Sequence, residues 1–529
     1  MLHQNALWIA QGQNPCYLLL NQANRHGIVT GASGTGKTVT LKVMAEGFSQ
    51  AGVPVFLVDV KGDVAGIAEP GADSPNMQER IERFGIEGWQ YAGCPTRLWC
   101  VGEGRGIPIR ITVSDMGPEL LAHLLGLTDV QEGVLSVVFR VADEKGMLLI
   151  DLKDLRAMLA YVSEHAKEFE MDYGRVAPQS VAAIVRALVK LEDQGADALF
   201  GEPSLDLMDW FATDDQGRGY INLLDARQLI QTPQTYAMFL LWMLSELFEK
   251  LPEVGDPDKP RLVFFFDEAH LLFDGMPSEL TKKVIQVVKL IRSKGVGVYF
   301  ISQSPSDIPD EVLAQLSNRI QHGLRAYTPA EQKAVRAAAE AFVENPAFDS
   351  QEAILALGTG EALVSFLDEK GRPSMVENAK VLPPQCSMAA ASQETIDALV
   401  AAQAPLMEKY GTPVDRESAY ELIADEKDAQ AEADRLAQER AKLEAERAAF
   451  EKERAAAEAK AQKAAEKEAA RQEREAAKEA ERLYREQQKE AERAQKARDK
   501  QVQQITKTLG DIGREAGKQI LRGLFGTRR

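Results

Sequence analysis

The feature that most restricts how this chain can fold is a glycine-rich segment between an apolar run and a helical run. Glycine lets the backbone curl until consecutive N–H groups point inward at an anion, and a helix that begins there adds the positive end of its dipole. Lys37 is then placed to reach the β- and γ-phosphates of a nucleotide, and Thr38 to bind Mg²⁺. The spacing G-x-x-x-x-G-K-[ST] predicts a nucleotide-binding loop, against the alternative of a structural turn. Its residues are Gly31, Ala32, Ser33, Gly34, Thr35, Gly36, Lys37 and Thr38.

Short apolar runs alternate with helical runs along the first half of the chain and beyond. The apolar runs have almost no polar positions, which is typical of strands that are covered on both faces. Strands alternating with helices predict an α/β fold with a mainly parallel sheet. Strands are predicted at 27–30, 55–60, 219–224, 262–267 and 298–302, and helices at 235–250 and 279–293.

A long stretch inside this pattern has only helical periodicity. From about residue 115 to residue 210, apolar residues recur three and four positions apart, as at Leu120, Leu121 and Leu124. We interpret it as a helical insertion in the α/β core.

The C-terminal part has a different composition. Almost all of it is Ala, Glu, Lys, Arg and Gln, with acidic and basic residues three positions apart, pairs that stabilise a helix by about 0.2–0.5 kcal/mol each. The main predicted domain covers 1–385, followed by a linker at 386–417, a long charged helix at 418–508 and a basic amphipathic tail at 509–529.

The charged segment has an incomplete heptad pattern. Leu436, Leu443 and Phe450 are seven residues apart, but no second apolar position runs beside them. A coiled coil needs both positions of the seam. A single solvated helix, a coiled coil and a disordered charged segment therefore all remain open.

Two acidic residues follow the most apolar predicted strand. Asp267 and Glu268 would lie at its carboxyl end, which is the edge of a parallel sheet where ligands bind. In a phosphate-loop ATPase, Asp267 would hold the Mg²⁺ shell and Glu268 would orient the attacking water. The alternative is an acidic N-cap of the next helix.

Polar residues also follow two other predicted strands. Gln303 comes after the strand that ends at Ser302, where it would sense the γ-phosphate or simply cap the strand. Asp59 ends the strand after the phosphate loop. It would either support the metal shell or begin the turn that contains Lys61 and Asp63.

Charge and cysteine content limit the class of protein. The chain has 529 residues and a formal net charge of −18, which argues against nucleic acid spread over its outer surface but allows a small basic channel. Its four cysteines have no paired spacing, so neither a zinc site nor a disulfide framework is predicted. No apolar run is long enough to cross a bilayer, and no signal peptide is evident. These features predict a cytoplasmic protein.

Several ordered motifs together resemble the HerA–FtsK superfamily of ring-forming ATPases, and within it the HerA-like bacterial YjgR group. The resemblance covers roughly residues 1–385. Besides the phosphate loop, the segments that carry it are Asn24-Arg25-His26-Gly27, Val58-Asp59-Val60-Lys61-Gly62-Asp63, Phe266-Asp267-Glu268-Ala269-His270 and Ile301-Ser302-Gln303-Ser304-Pro305.

This resemblance implies a RecA-like motor core that forms a homo-hexamer, with ATP and Mg²⁺ at the subunit boundaries and DNA in a central pore. It implies that Lys37 and Thr38 bind the nucleotide, and that Gln303 is the sensor. Arg292 would be an arginine finger supplied to a neighbouring subunit. Arg25 would be a second basic residue at the subunit boundary.

Two functions are compatible with these patterns. The first is an ATP-hydrolysing DNA translocase or helicase. Its basic residues Lys282, Lys283, Lys289, Arg292 and Lys294 would then lie near the pore, and the alternative for them is a solvated helix face. The second is an ATP-driven scaffold whose C-terminal helix and tail recruit a protein or membrane partner.

Overall fold

The computed structural model describes residues 2–273, 278–479 and 500. The chain divides into two compact units, Met1–Lys427 and Asp428–Arg529. The first unit contains the sheet and every motif that carries the family resemblance. In the second unit, the described residues are those of one long helix, which ends at Glu479, and Lys500.

The first unit is built on one sheet of thirteen described strands. The strands are β1 (Leu2–His3), β2 (Ala6–Gln11), β3 (Pro15–Leu19), β4 (Gly27–Thr30), β5 (Val55–Asp59), β6 (Thr96–Cys100), β7 (Ile107–Pro108), β8 (Ile221–Asp225), β9 (Leu262–Phe266), β10 (Val296–Ser302), β11 (Asn318–His322), β12 (Glu361–Ser365) and β13 (Glu377–Val381).

Most of this sheet is parallel. The order is β1-β2-β13-β12-β11-β4-β10-β9-β5-β8-β6-β7, with β3 paired to β2. All pairs from β11 to β7 are parallel, and the pairs that involve β12, β13, β1, β2 and β3 are antiparallel. The predicted α/β class with a mainly parallel sheet is confirmed.

The described part of the chain contains sixteen α-helices, and several of them pack on the parallel part of the sheet. They are α1 (Lys37–Gln50), α2 (Pro75–Phe84), α3 (Val113–Leu125), α4 (Asp129–Lys145), α5 (Leu152–Glu164), α6 (Ala166–Tyr173), α7 (Pro178–Asp193), α8 (Pro233–Lys250), α9 (His270–Phe273), α10 (Ser278–Ile291), α11 (Asp310–Leu313), α12 (Pro329–Glu340), α13 (Ser350–Ala356), α14 (Gln393–Ala402), α15 (Ala404–Tyr410) and α16 (Ala419–Glu479). The helices α3 to α7 form the predicted helical insertion.

Strand β9 shows why the core residues must be apolar at every position. Leu262, Phe264 and Phe266 belong to the apolar cluster that includes the helical insertion. Val263 and Phe265 belong to a second cluster, which includes residues of α1. A strand that buries both faces cannot alternate polar and apolar residues. These uninterrupted runs of apolar residues are the reason that the central strands could be predicted from the sequence.

Strand β11 carries no such signal. Asn318, Gln321 and His322 are all buried, and each forms hydrogen bonds, among them Thr30 Oγ1 to Gln321 Oε1 at 2.6 Å. A buried polar side chain is tolerated only when its hydrogen bonds are made. Those partners become visible only in three dimensions, so the sequence pattern did not predict this strand.

The interpretation of residues 386–417 as a linker is wrong. The Lys42 ammonium, fully buried on α1, donates to the carbonyls of Ser387 and Ala389 at 2.9 and 3.2 Å. Further along, Gln403 accepts a hydrogen bond from Leu98 N at 2.6 Å. This segment, with α14 and α15, is therefore held on the core by buried polar contacts, which sequence composition does not reveal.

The charged C-terminal segment forms the helix predicted for it over Ala419–Glu479, which removes the disordered alternative for that range. Whether it pairs into a coiled coil stays a prediction. The rest of the predicted helix (apart from Lys500) and the basic amphipathic tail lie outside the described residues. Among the described helices, none combines the length and apolarity needed to cross a membrane.

Candidate nucleotide-binding site

Four adjacent strands bring the predicted site residues to one edge of the sheet. In the order β4-β10-β9-β5, β4 leads into the phosphate loop and β10 into Gln303. Strand β9 leads into Asp267 and Glu268, and β5 ends at Asp59. Neighbouring strands are about 4.8 Å apart. These groups therefore lie along the same carboxyl edge.

The phosphate loop has a backbone that only glycine accepts. Gly31 has φ +155°, and a Cβ atom there would lie 2.5 Å from the Cβ of His322. Gly36 has φ +115°, and a Cβ atom there would lie 3.1 Å from Gly360 N. The loop is also tied to its surroundings, since Gly360 N donates to Thr35 O at 2.9 Å. The curled form is therefore built into the protein.

Lys37 turns back onto the loop. Its ammonium donates to Gly31 O at 2.6 Å and to Ala32 O at 3.1 Å. Burial lowers the pKa of Lys37, and the negative charges of Glu268 and Asp267 partly oppose this shift. An anion in the loop would give this ammonium a charged acceptor in place of two neutral carbonyls.

The acidic pair is held in an unusual backbone conformation. Glu268 has φ +48°, in the left-handed region that side chains rarely adopt. Glu268 N donates to Asp267 Oδ1 at 2.9 Å, and Ala269 N donates to Ile301 O at 2.8 Å, which fixes the turn. Burial and the charge of Glu268 raise the pKa of Asp267 to about 6. Strained backbone of this kind is concentrated at functional sites.

The Glu268 carboxylate has three side-chain neighbours. Oε1 forms an ion pair with the Lys61 ammonium. Oε2 lies 3.4 Å from Gln303 Nε2 and 3.3 Å from His270 Nδ1. Burial acts to raise the pKa of Glu268, but the hydrogen bond and charge of Lys61 outweigh it and the pKa is lowered. Lys61 was not predicted as a site residue, although its motif marked the turn that contains it.

Both carboxylate oxygens of Asp59 accept hydrogen bonds from the backbone of the turn that follows β5. Its Oδ1 accepts hydrogen bonds from Lys61 N at 3.2 Å and Gly62 N at 2.6 Å, and its Oδ2 accepts one from Val64 N at 3.2 Å. Of the two alternatives for Asp59, the structure favours the turn. The Asp59 carboxylate thereby aims Lys61 at Glu268.

The oxygen atoms at this edge fit a magnesium ion. Asp267 is buried with 8% exposure, and Thr38 lies in the first turn of α1. Carboxylate and hydroxyl oxygens are hard donors of the kind that Mg²⁺ takes together with substrate phosphates. The raised pKa of Asp267 reflects a buried carboxylate beside a second acid, which a divalent cation would stabilise in its charged form.

The two predicted arginines lie at the other edge of the sheet. Arg25 precedes β4, and Arg292 lies in the 3₁₀ turn Arg292–Lys294 before β10. Their Nη2 atoms lie 4.0 and 3.2 Å from the carboxylate of Asp256. The seven residues of β10 separate Arg292 from Gln303, about 20 Å along the strand. The structure thus brings these arginines together, away from Lys37 and Glu268.

His26 follows Arg25 and forms hydrogen bonds that link this end of the sheet to the core. Its Nε2 is 2.8 Å from Val288 O, and Val298 N donates to its Nδ1 at 3.1 Å. Nδ1 must therefore be unprotonated, which makes the ring neutral. Burial lowers the pKa of His26 to about 4, with a smaller contribution from the charge of Arg292.

We expect His26 to make the protein sensitive to acid. Between its ordinary pKa of about 6.5 and its folded pKa, the unfolded chain binds more protons, so the free energy of unfolding falls as pH drops through this window. The effect is on the order of 3 kcal/mol. It can be measured by urea unfolding of wild type and His26→Asn from pH 7 to pH 4. Equal pH slopes in the two proteins would show that His26 is not the cause.

The predicted basic patch is partly neutralised within the chain. Lys283 forms an ion pair with Glu119 at 2.6 Å, and Arg292 forms one with Asp256 at 3.2 Å. Lys282 and Lys289 are exposed on α10. The patch is therefore less basic than its sequence suggests.

Comparison with known proteins identifies related chains. A family model described as "Helicase HerA-like C-terminal" matches residues 4–529. The DNA double-strand break repair helicase HerA of Pyrococcus furiosus is 23% identical over 388 residues, which are 64% of this chain and 63% of the relative. The protein of the same name from Sulfolobus acidocaldarius is 21% identical over 355 residues, 65% of this chain and 63% of the relative. The chain thus spans less than two thirds of each relative.

Solved structures with similar backbones have lower identities. The plasmid coupling protein TrwB in complex with ADP and Mg²⁺ has a TM-score of 0.49 and 15% identity, covering 74% of this chain and 92% of that one. VirB4 of Thermoanaerobacter pseudethanolicus has a TM-score of 0.43 and 14% identity, covering 75% and 99%.

Proposed function

The chain belongs to the HerA-like helicase family of the HerA–FtsK superfamily, and from this premise we propose that it is an ATP-binding and ATP-hydrolysing ring motor that acts on DNA. The residues that bind and cleave ATP are those at the carboxyl edge of the sheet. The phosphate loop binds the triphosphate through its backbone N–H groups and Lys37. Thr38 and Asp267 hold Mg²⁺, which when bound neutralises phosphate charge.

Glu268 is the residue we assign to the attacking water. It lies beside the loop, and a carboxylate there can align a water and accept its proton. Gln303 contacts the same carboxylate and directly follows β10. The presence or loss of the γ-phosphate can therefore change the position of Gln303 and of the end of β10. These roles are distributed over three adjacent strands.

One observation carries the proposal of a ring. Arg25 and Arg292 lie at the opposite edge of the sheet from the phosphate loop, so neither side chain can reach the nucleotide of its own chain. A neighbouring subunit could supply both arginines if the end of its sheet that carries Arg25 and Arg292 docked next to the phosphate loop of the first subunit. We propose a homo-hexamer, in which each nucleotide lies at a subunit boundary.

DNA is the proposed substrate because both archaeal relatives are named as DNA repair helicases. The acidic net charge of −18 disfavours DNA on the outer surface, so we place it in a central pore. The exposed lysines Lys282 and Lys289 on α10 are candidates for phosphate contacts there. A cytoplasmic location is also proposed, in keeping with four cysteines that are all free thiols.

The test is the rate of ATP hydrolysis with and without DNA. We expect single- or double-stranded DNA to raise the rate at low salt, and the stimulation to fall as salt is added, because counterion release dominates binding to phosphates. The full-length protein should be used. ATP hydrolysis that DNA leaves unchanged, together with no DNA binding at low salt, would remove DNA from the proposal and leave an ATPase with another partner.

A further inference from the structure

The position of Lys61 has no role in the account above. Its side chain is 53% exposed, yet its ammonium group is paired with a Glu268 side chain that is only 7% exposed. The turn that presents Lys61 is held by three backbone hydrogen bonds to Asp59. A long, half-exposed lysine aimed by a rigid turn at a buried carboxylate is a specific arrangement.

Lys61 also lies close enough to the phosphate loop for its charge to affect a loop residue. Its charge acts on Lys37, and Asp267 and Glu268 act on both lysines. Two ammonium groups therefore lie at the same edge of the sheet. Lys37 is bound to loop carbonyls and Lys61 to Glu268.

We propose that Lys61 is a positioning residue. Its ammonium group is paired with Glu268 while no triphosphate is bound, and the side chain moves to pair with the γ-phosphate when ATP enters. The proposal rests on the function proposed above. A γ-phosphate carries more negative charge than a single carboxylate and competes for the ammonium. Departure of Lys61 leaves Glu268 Oε1 free to contact the attacking water.

The exchange explains why the Glu268 carboxylate is surrounded as it is. Gln303 and His270 are both near Oε2, so they can keep the carboxylate in place after Lys61 leaves Oε1. Hydrolysis removes the γ-phosphate, and Lys61 returns to Glu268. Glu268 is then available for catalysis only when a triphosphate is present.

The experiment compares the affinity for Mg·ADP with that for the Mg²⁺ complex of a non-hydrolysable ATP analogue that has an imido bridge. The proteins are full-length Glu268→Gln with and without Lys61→Met. Because Glu268→Gln has no carboxylate at this position, the ion pair between Lys61 and residue 268 is absent from both proteins, and only the contact of Lys61 with the nucleotide distinguishes them. We expect Lys61→Met to weaken binding of the analogue about tenfold and to leave ADP binding unchanged, because a charge-assisted hydrogen bond to the γ-phosphate is lost.

Two further variants make the result decisive. Lys61→Arg in the same background should keep most of the preference for the analogue, since it retains a charged donor. Lys250→Met removes a lysine of similar exposure that pairs with Glu246, and should change neither affinity. Equal losses for both nucleotides, or no loss in Lys61→Met, overturn the proposal. Failure of wild type to hydrolyse ATP would instead contradict the proposed function, which these binding measurements do not need.

Discussion

Glu268→Gln is expected to bind ATP and to hydrolyse it about 10²- to 10⁴-fold more slowly than wild type, the range that a positioned acid–base group contributes. The amide keeps the size of the side chain and can still accept a hydrogen bond, but it cannot take a proton from water. The backbone at φ +48° and the hydrogen bond from Ala269 N to Ile301 O do not involve the carboxylate. The site should therefore remain assembled.

The measurements are phosphate release and the amount of nucleotide retained by the protein. The mass of the particle with and without ATP, determined for the same variant, reports whether trapped nucleotide stabilises a ring. Glu246→Gln is the matched control, because Glu246 pairs with Lys250 on α8, away from the site. A Glu268→Gln protein that turns over ATP at the wild-type rate would show that another group activates the water.

Arg292→Ala is expected to lower ATP turnover by about 10³- to 10⁵-fold, the effect typical of an arginine finger. The location of Arg292, about 20 Å of strand away from Gln303, means that it can act only on the nucleotide of another subunit. Loss of Arg292 should leave nucleotide binding by the isolated chain unchanged. Arg156→Ala is the control, because Arg156 has a similar exposure and pairs with Glu192 within the helical insertion.

Mixed assemblies separate action on a neighbour from action within one chain. Arg292→Ala and Glu268→Gln should each be nearly inactive, but co-expression places an intact Glu268 opposite an intact Arg292 at some subunit boundaries. Those boundaries should restore part of the hydrolysis. If the mixture is as inactive as either variant alone, Arg292 does not serve a neighbouring site.

The parts of this fold that sequence patterns predict are those with an unbroken local signal. The phosphate loop has fixed spacing, and β9 has five consecutive apolar residues that face two helical layers. Strand β11 and the segment around Gln403 have no such signal, because their polar residues are satisfied by partners hundreds of positions away. Local composition cannot distinguish them from solvated loops.

The site shows the same division. The positions of Lys37, Asp267 and Glu268 after predicted strands indicated that they lie at one edge of the sheet, because the carboxyl ends of parallel strands meet there. The ion pair of Lys61 with Glu268 depends on two strands, β5 and β9, being neighbours in the sheet. Local sequence patterns do not reveal the order of strands in a sheet. The motif that contains Lys61 was therefore the only indication of this contact in the sequence.

Helix α1 begins in the nucleotide loop and also anchors the segment that follows β13. Glu46 on this helix accepts hydrogen bonds from Gln385 N and Cys386 N at 3.0 and 2.6 Å, one turn after the buried Lys42. A truncated protein that stopped after the last motif would lose the backbone donors of the buried Glu46 carboxyl group and two of the three carbonyls that accept hydrogen bonds from Lys42. The smallest autonomous catalytic fragment should accordingly extend through residue 427.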